Sequence, residues 1–108
     1  MKTYNLSAGE PLPLYLPELY LRDLQKAIKI LRDNGAIEIY LFGSLISGRI
    51  SKDADIDLGV IGIQSPRFFQ VYAELTASIQ THIDLIDFEK KKDFFTMLKN
   101  VNEVIRIV

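Results

Sequence analysis

The stretch that decides the fold is residues 37 to 61, which read IEIYLFGSLISGRISKDADIDLGVI. Two short apolar runs, 37–43 and 55–61, flank a more polar connection. Both runs are rich in Ile, Leu, Val and aromatic residues and too short for ordinary helices, so they predict two largely buried strands. The pair Gly43–Ser44 then lies just past the first strand, and ten residues separate it from the sequence Asp55-Ile56-Asp57.

The glycine–serine pair predicts a turn that can hold an anion. Without a Cβ atom, Gly43 lets the backbone approach a phosphate closely. Ser44 can cap a following short helix, whose free N–H groups attract anions. Such a dipeptide alone is most often an ordinary turn, and only its spacing from the aspartates favours the phosphate-binding interpretation.

Three aspartates predict a site for a hard cation. Strand side chains alternate between faces, so Asp55 and Asp57 project on the same side. A later predicted strand, 82–88, carries Asp84 among apolar neighbours, whereas Asp87 lies at the strand exit, where a solvated carboxylate or a helix cap is expected. Three acids on adjacent strands could hold two Mg²⁺ ions about 3.5 to 4 Å apart. The alternative is that these are solvent-facing acids, as at a strand end or edge.

The segment from Leu41 to Gly59 resembles the signature of the DNA polymerase β-like nucleotidyltransferase superfamily, and the whole chain resembles the minimal nucleotidyltransferases. The family motif is glycine, serine, ten residues and Asp-x-Asp, followed by a third acid on a later strand. It is matched here by Gly43, Ser44, Asp55, Asp57 and Asp84.

The resemblance implies a magnesium-dependent enzyme that transfers AMP from ATP to an acceptor hydroxyl, with two Mg²⁺ ions bound by the three acids. Many family members are encoded beside a HEPN ribonuclease and act as its antitoxin, some by modifying a tyrosine of the toxin. Two alternatives stay open. A non-catalytic antitoxin would act by binding alone, and a small-molecule nucleotidyltransferase would be expected to carry an additional helical domain.

The sequence departs from the family pattern around the motif. Basic residues commonly follow the Gly-Ser pair and a serine commonly precedes the first aspartate, but this chain has Leu45, Ser47 and Ala54 at those places. Arg49 and Lys52 lie nearby, and we expect them to supply the positive charge for a bound triphosphate.

Composition restricts the class of protein. The chain has 108 residues and a net charge of −1, which predicts one domain (1–108) without the general basic field that drives strong nucleic-acid binding. The absence of cysteine excludes disulfides and thiolate zinc sites. No run resembles a signal peptide or membrane span, so a cytoplasmic protein is expected. An apolar content of 48% favours a stable partner or a homodimer.

The pattern along the chain predicts an α/β (α+β) domain with a mixed sheet of three to four strands flanked by helices. Three prolines favour an extended N-terminal arm over residues 1–17, whose apolar residues should pack on the rest of the domain. Helices are predicted over 18–34, 65–80 and 91–100, and strands near 37–43, 55–61, 82–88 and 104–108. The predicted buried helix faces consist of Leu21, Leu24, Ile28 and Leu31 in the first helix and Phe69, Tyr72, Leu75 and Ile79 in the second.

Other conspicuous residues are expected to have structural roles. His82 has no second histidine near it, so we expect a surface or strand-start residue rather than a metal ligand. The tyrosines are expected mainly to pack, although one could stack on a nucleotide base. The run Lys90–Lys92 is most simply a solvated helix start, the alternative being attraction of an acidic partner or RNA.

Overall fold

A computed structural model describes residues 1–48 and 54–108. It confirms the predicted class, because helices flank a mixed sheet of four strands. The helices in this described part are α1 (Glu18–Asp33), α2 (Ser44–Ser47), α3 (Ser65–Ser78) and α4 (Lys92–Asn100), with a 3₁₀ turn at Leu6–Ala8. The strands are β1 (Glu38–Phe42), β2 (Ile56–Ile61), β3 (Ile83–Asp87) and β4 (Val104–Arg106).

The strand order β3-β2-β1-β4 determines which residues become neighbours. Strand β1 is antiparallel to both β2 and β4, whereas β2 and β3 are parallel and are joined by the crossover helix α3. In this register Asp57 stands opposite Phe42 on one side and Asp84 on the other. The parallel pairing therefore brings the two predicted acids onto neighbouring strands at the same level.

One face of the sheet packs against α1 and α3 and forms the larger core. Alternate residues of β2, namely Ile56, Leu58 and Val60, are at most 1% exposed on this face. Helix α1 adds Leu24, Ala27, Ile28 and Leu31, and helix α3 adds Val71 and Leu75.

The opposite face carries a smaller aromatic cluster that α4 covers. Phe88 stacks on Phe95 of α4 with ring centroids 4.4 Å apart, and it also lies against Tyr40 and Phe42. Gly59 makes room for this ring, because a Cβ atom there would lie 2.0 Å from it. Asp57 and Asp84 project from this same face, next to the end of the cluster that contains Phe42.

The buried faces of two helices differ from the prediction. Leu21, predicted to be buried, is 36% exposed, whereas Asp23, which was not part of the predicted buried face, is 1% exposed. The reason is that α1 turns Asp23 toward the turn after α3, where its carboxylate accepts hydrogen bonds from two backbone N–H groups. In α3, Phe69 is 83% exposed, and Val71 fills the core position instead.

The N-terminal arm packs as expected, with Leu6 and Leu16 buried. It is not extended throughout, because residues 6–8 form the 3₁₀ turn. The backbone N–H groups of Tyr4 and Leu6 donate to the carbonyls of Arg106 and Ile107 (2.8 and 3.0 Å), so the arm runs along β4. None of the helices in residues 1–48 and 54–108 is long and apolar enough to cross a membrane.

Candidate active site

The three predicted acids come together where β2 and β3 begin. Asp57 and Asp84 are register partners, and Asp55 directly precedes β2. Beside Asp55 lies His82, whose Nδ1 is 3.3 Å from the Asp55 Oδ1 atom. The His82 carbonyl accepts a hydrogen bond of 2.9 Å from the Ile56 N–H, which ties the two strand starts together. The site thus contains three carboxylates and one imidazole.

The Gly43 turn presses directly against Asp57. Gly43 has φ +79°, and a Cβ atom at this position would lie 2.1 Å from the Asp57 Oδ2 atom. The backbone at Gly43, where the sequence predicted the close approach of a phosphate, thus lies close to the Asp57 carboxylate. Gly43 is also the N-cap residue of α2, and Ser44 is already the first helical residue, so the expectation that Ser44 caps this helix is wrong.

The electrostatics of the site resist ionisation of Asp57. The pKa of Asp57 is raised to about 6, first because the group is partly buried and then because Asp84 and Asp55 are negatively charged neighbours. A hydrogen bond with Asp84 raises it further, and His82 lowers it slightly. A cation bound at this place would neutralise the repulsion that raises this pKa.

Tyr72 is a site residue that the sequence did not single out. Its hydroxyl donates to the Asp84 Oδ1 atom at 2.9 Å and also lies 3.1 Å from the Ile83 carbonyl. Burial and the Asp84 carboxylate raise the pKa of Tyr72. The sequence indicated only that Tyr72 lies on the inner face of α3, because its place beside β3 depends on how the crossover helix packs.

A cavity of about 330 Å³ opens beside the acids. Its polar wall contains Asp57, Asp84 and Tyr72, and the facing walls contain Phe42 and Phe94. This volume lies at the lower end of the range for small-molecule sites. A larger cavity of about 490 Å³ lies along α1 beside the arm and contains none of the motif residues, so the candidate site is identified by its carboxylates and not by its volume.

Two residues of α1 support the segments that carry the site. The Tyr20 hydroxyl donates to the Ala54 carbonyl at 2.7 Å, directly before Asp55. The Asp23 carboxylate accepts from the N–H groups of Gln80 and Thr81 and from the Thr81 hydroxyl, directly before His82. The predicted phosphate-binding residues Arg49 and Lys52 lie outside the described residues.

Residues 25–106 match the family described as polymerase beta, nucleotidyltransferase. The match spans most of the chain and includes the turn and all three acids. The chain therefore belongs to this nucleotidyltransferase family.

Within the family, solved toxin–antitoxin structures are similar to this chain. A toxin–antitoxin crystal structure with AMP-PNP is 31% identical with a TM-score of 0.51, covering 60% of this chain and 56% of that one. A tyrosine-to-alanine mutant of the toxin–antitoxin MntA-HpeT is 26% identical with a TM-score of 0.59, covering 79% and 71%. No curated protein matches the chain. The likeness to an antitoxin-type minimal nucleotidyltransferase is thus confirmed, and the chain spans just over half of the AMP-PNP-bound relative.

Proposed function

We propose that this protein is a magnesium-dependent nucleotidyltransferase that transfers AMP from ATP to a tyrosine of a HEPN-type toxin partner, and thereby acts as an antitoxin. The observation that carries the proposal is the register pairing of Asp57 with Asp84, beside Asp55 and against the Gly43 turn. The similar structures support the nucleotide and the kind of partner, because one contains AMP-PNP and all are toxin–antitoxin assemblies.

The donor set fits magnesium. Asp55, Asp57 and Asp84 offer carboxylate oxygens, the ligands that Mg²⁺ prefers, and their mutual repulsion favours a bound cation. These three residues would hold the ions, two in the proposed arrangement. When bound, Mg²⁺ supplies charge neutralisation for the triphosphate and lowers the pKa of the attacking hydroxyl.

The residues of the chain have distinct proposed roles. The turn at Gly43 and Ser44 would hold the triphosphate, with Arg49 and Lys52 supplying positive charge. Asp84 would accept the proton of the acceptor hydroxyl, because Tyr72 fixes the orientation of its carboxylate through one oxygen. The oxygen of the acceptor then forms a bond to the α-phosphorus, and pyrophosphate leaves.

The aromatic walls of the cavity suit a nucleotide base. Phe42 and Phe94 lie edge to face with ring centroids 5.6 Å apart, and both line the cavity beside Asp57. Aromatic side chains bind flat bases through their faces at little entropic cost. This wall would therefore contact the adenine or the acceptor ring.

Exposed apolar residues near the cavity support a protein partner. Phe94 and Met97 on α4 and Val101 at its C-cap are 36%, 47% and 52% exposed, and their spacing places them along one side of the helix. Phe94 also lines the cavity. A partner bound along α4 would thus lie next to the site of transfer.

The test is to incubate the purified chain, with and without a co-purified toxin partner, with α-labelled ATP and Mg²⁺. The wild type is compared with Asp55→Asn/Asp57→Asn and with the exposed control pair Asp33→Asn/Asp93→Asn. Label on a protein band that requires Asp55 and Asp57 but tolerates the control pair supports the proposal, and mass spectrometry then identifies the modified residue.

Undiminished labelling by Asp55→Asn/Asp57→Asn would overturn the assignment of the site. Label on nucleic acid that requires Asp55 and Asp57 would identify nucleic acid, instead of a protein tyrosine, as the acceptor. No label, together with toxin protection that survives both aspartate changes, would favour an antitoxin that acts by binding alone.

A further inference from the structure

We propose that His82 is a metal ligand alongside Asp55 and Asp84, and that its nitrogen makes this site prefer a first-row transition ion to magnesium. The inference rests on the proposed metal site but adds a ligand that neither the motif nor the spacing of the acids predicts. His82 is the single histidine of the chain.

The geometry brings three different donors within reach of one ion. One ligand atom from each of Asp55, His82 and Asp84 can be chosen so that all three lie within 4.8 Å of one another. His82 Nδ1 and Asp55 Oδ1 are 3.3 Å apart, a separation that two ligands of the same ion can adopt.

The backbone keeps these donors in place. The hydrogen bond from the Ile56 N–H to the His82 carbonyl extends the parallel pairing to the residues that precede the strands. His82 directly precedes β3 and is two residues from Asp84, so the alternation of extended backbone places both on the same side. The Tyr72 hydroxyl donates to the Asp84 Oδ1 atom and thereby fixes the orientation of this carboxylate.

The mixed donor set differs in its metal preference from a set of oxygens. Mg²⁺ binds carboxylates, phosphates and water, whereas imidazole nitrogen is a preferred ligand of Zn²⁺ and other first-row transition ions. Zn²⁺ accepts both imidazole and carboxylate in one site. A single nitrogen should therefore raise the affinity for Zn²⁺ while leaving that for Mg²⁺ nearly unchanged.

The first test is calorimetry of Zn²⁺ and of Mg²⁺ binding to the tag-free chain without nucleotide, in the wild type and in His82→Gln. The substitution should weaken Zn²⁺ at least about tenfold and Mg²⁺ less than about twofold. Gln80→Ala, an exposed change in the same turn, serves as the control and should alter neither affinity. Equal Zn²⁺ affinities in wild type and His82→Gln would overturn the proposal.

The second test does not depend on a variant. With one histidine, the ring nitrogens give a single pair of ¹⁵N resonances, and Zn²⁺ should shift the coordinating one strongly. An unshifted imidazole in the zinc-saturated protein would mean that His82 is only an ion-pair partner of Asp55, which also overturns the proposal.

The two proposals can fail separately. If aspartate-dependent transfer with Mg²⁺ is found but Zn²⁺ affinity is indifferent to His82→Gln, only this inference fails. If Asp55→Asn/Asp57→Asn transfers undiminished while Zn²⁺ binding requires His82, the proposed function fails and the ligand assignment stands.

Discussion

Gly43 shows how closely single residues constrain the site. Two conditions meet at this position, a φ of +79° and a missing Cβ atom that would lie 2.1 Å from the Asp57 Oδ2 atom. Gly48 shares only the first condition, because its φ is +80° and a Cβ atom there would meet no atom of residues 1–48 and 54–108 within 4 Å. Substitutions at the two glycines therefore distinguish the cost of backbone strain from the cost of a steric conflict.

Gly48→Ala should lower the free energy of unfolding by about 1 kcal/mol, the usual cost of a left-handed alanine. Gly43→Ala should lower it by at least twice as much, and it should abolish Mg²⁺-dependent ATP binding because Asp57 must move. Urea unfolding and calorimetric ATP titration measure the two effects. Equal stability and equal ATP affinity in the two variants would show that the contact with Asp57 is unimportant.

The raised pKa of Asp57 predicts how metal-free stability depends on pH. The folded pKa is about 6 and the unfolded value is about 3.9, so the folded state holds this proton more tightly. Its contribution is fully present below about pH 4 and is lost as the pH rises through about 6. In EDTA, Asp57→Asn should therefore resemble the wild type near pH 4 and be more stable than it at pH 7.5.

Urea unfolding at pH 4, 5.5 and 7.5 tests this expectation, with the exposed Asp33→Asn as the control that should show no such divergence. Added Mg²⁺ should stabilise the wild type above pH 6 and leave Asp57→Asn nearly unaffected. A constant difference between Asp57→Asn and wild type at all three pH values would contradict the pKa assignment.

The proximity of the acids could be predicted from the sequence, because their chemistry and their spacing coincide. The acids Asp55, Asp57 and Asp84 were predicted as a group, and the structure brings them together. His82 and Tyr72 were not predicted as site residues. Their proximity arises from the parallel register and from the packing of α3, which are tertiary features without a local pattern.

At the scale of elements, the buried carboxylate of Asp23 joins α1 to the turn between α3 and β3. It accepts three hydrogen bonds on one oxygen, from the N–H groups of Gln80 and Thr81 and from the Thr81 hydroxyl, at 2.8 to 3.2 Å. The turn leads directly into His82 and β3. The position of the second site strand thus depends on a residue of the first helix.

Asp23→Ala should lower the free energy of unfolding by about 2 to 4 kcal/mol, because it leaves the part-buried N–H groups of Gln80 and Thr81 without their acceptor. Asp23→Asn, which keeps one carbonyl oxygen, should cost less. The exposed Asp33→Ala on the same helix should change stability by about 0.5 kcal/mol or less. Chemical denaturation compares the three variants, and an Asp23→Ala protein as stable as Asp33→Ala would refute this role.

The C-terminal end of α3 also depends on Asp23. The sequence predicted a helix as far as Gln80, but α3 ends at Ser78 because the next N–H groups turn toward Asp23. The strands and the order of elements were predictable from short apolar runs and turn residues. The inward orientation of Asp23 was not, because an acid at a helical position ordinarily faces solvent and only its distant partners reverse that preference.

For the whole molecule, the segment before the family match is part of the core. The match begins at residue 25, yet Leu6, Leu16 and Tyr20 are buried in the larger cluster. The arm also covers the outer side of β4 through the hydrogen bonds of Tyr4 and Leu6. The described fold is therefore stabilised by residues that the family pattern does not include.

Deleting residues 1–9 should lower the free energy of unfolding by about 2 to 4 kcal/mol, through lost burial of Leu6 and lost pairing along β4. Tyr15→Ala, at a side chain that is 83% exposed, should leave stability unchanged and serves as the control. The midpoint of urea unfolding measures both. A truncated chain with an unchanged midpoint would show that the arm only lies on the surface.

The contact between Gly43 and Asp57 also has a consequence for inheritance. A larger residue at position 43 requires either that the Asp57 side chain moves or that position 57 becomes smaller, and a smaller residue at position 57 gives up the carboxylate. In a library randomised at both positions, variants selected for folding should include such compensated pairs, whereas variants selected for nucleotide transfer should retain the original pair. Mutational drift can therefore preserve the fold of this protein while the carboxylate at position 57 is lost, and recovery of nucleotide transfer would then require changes at both positions.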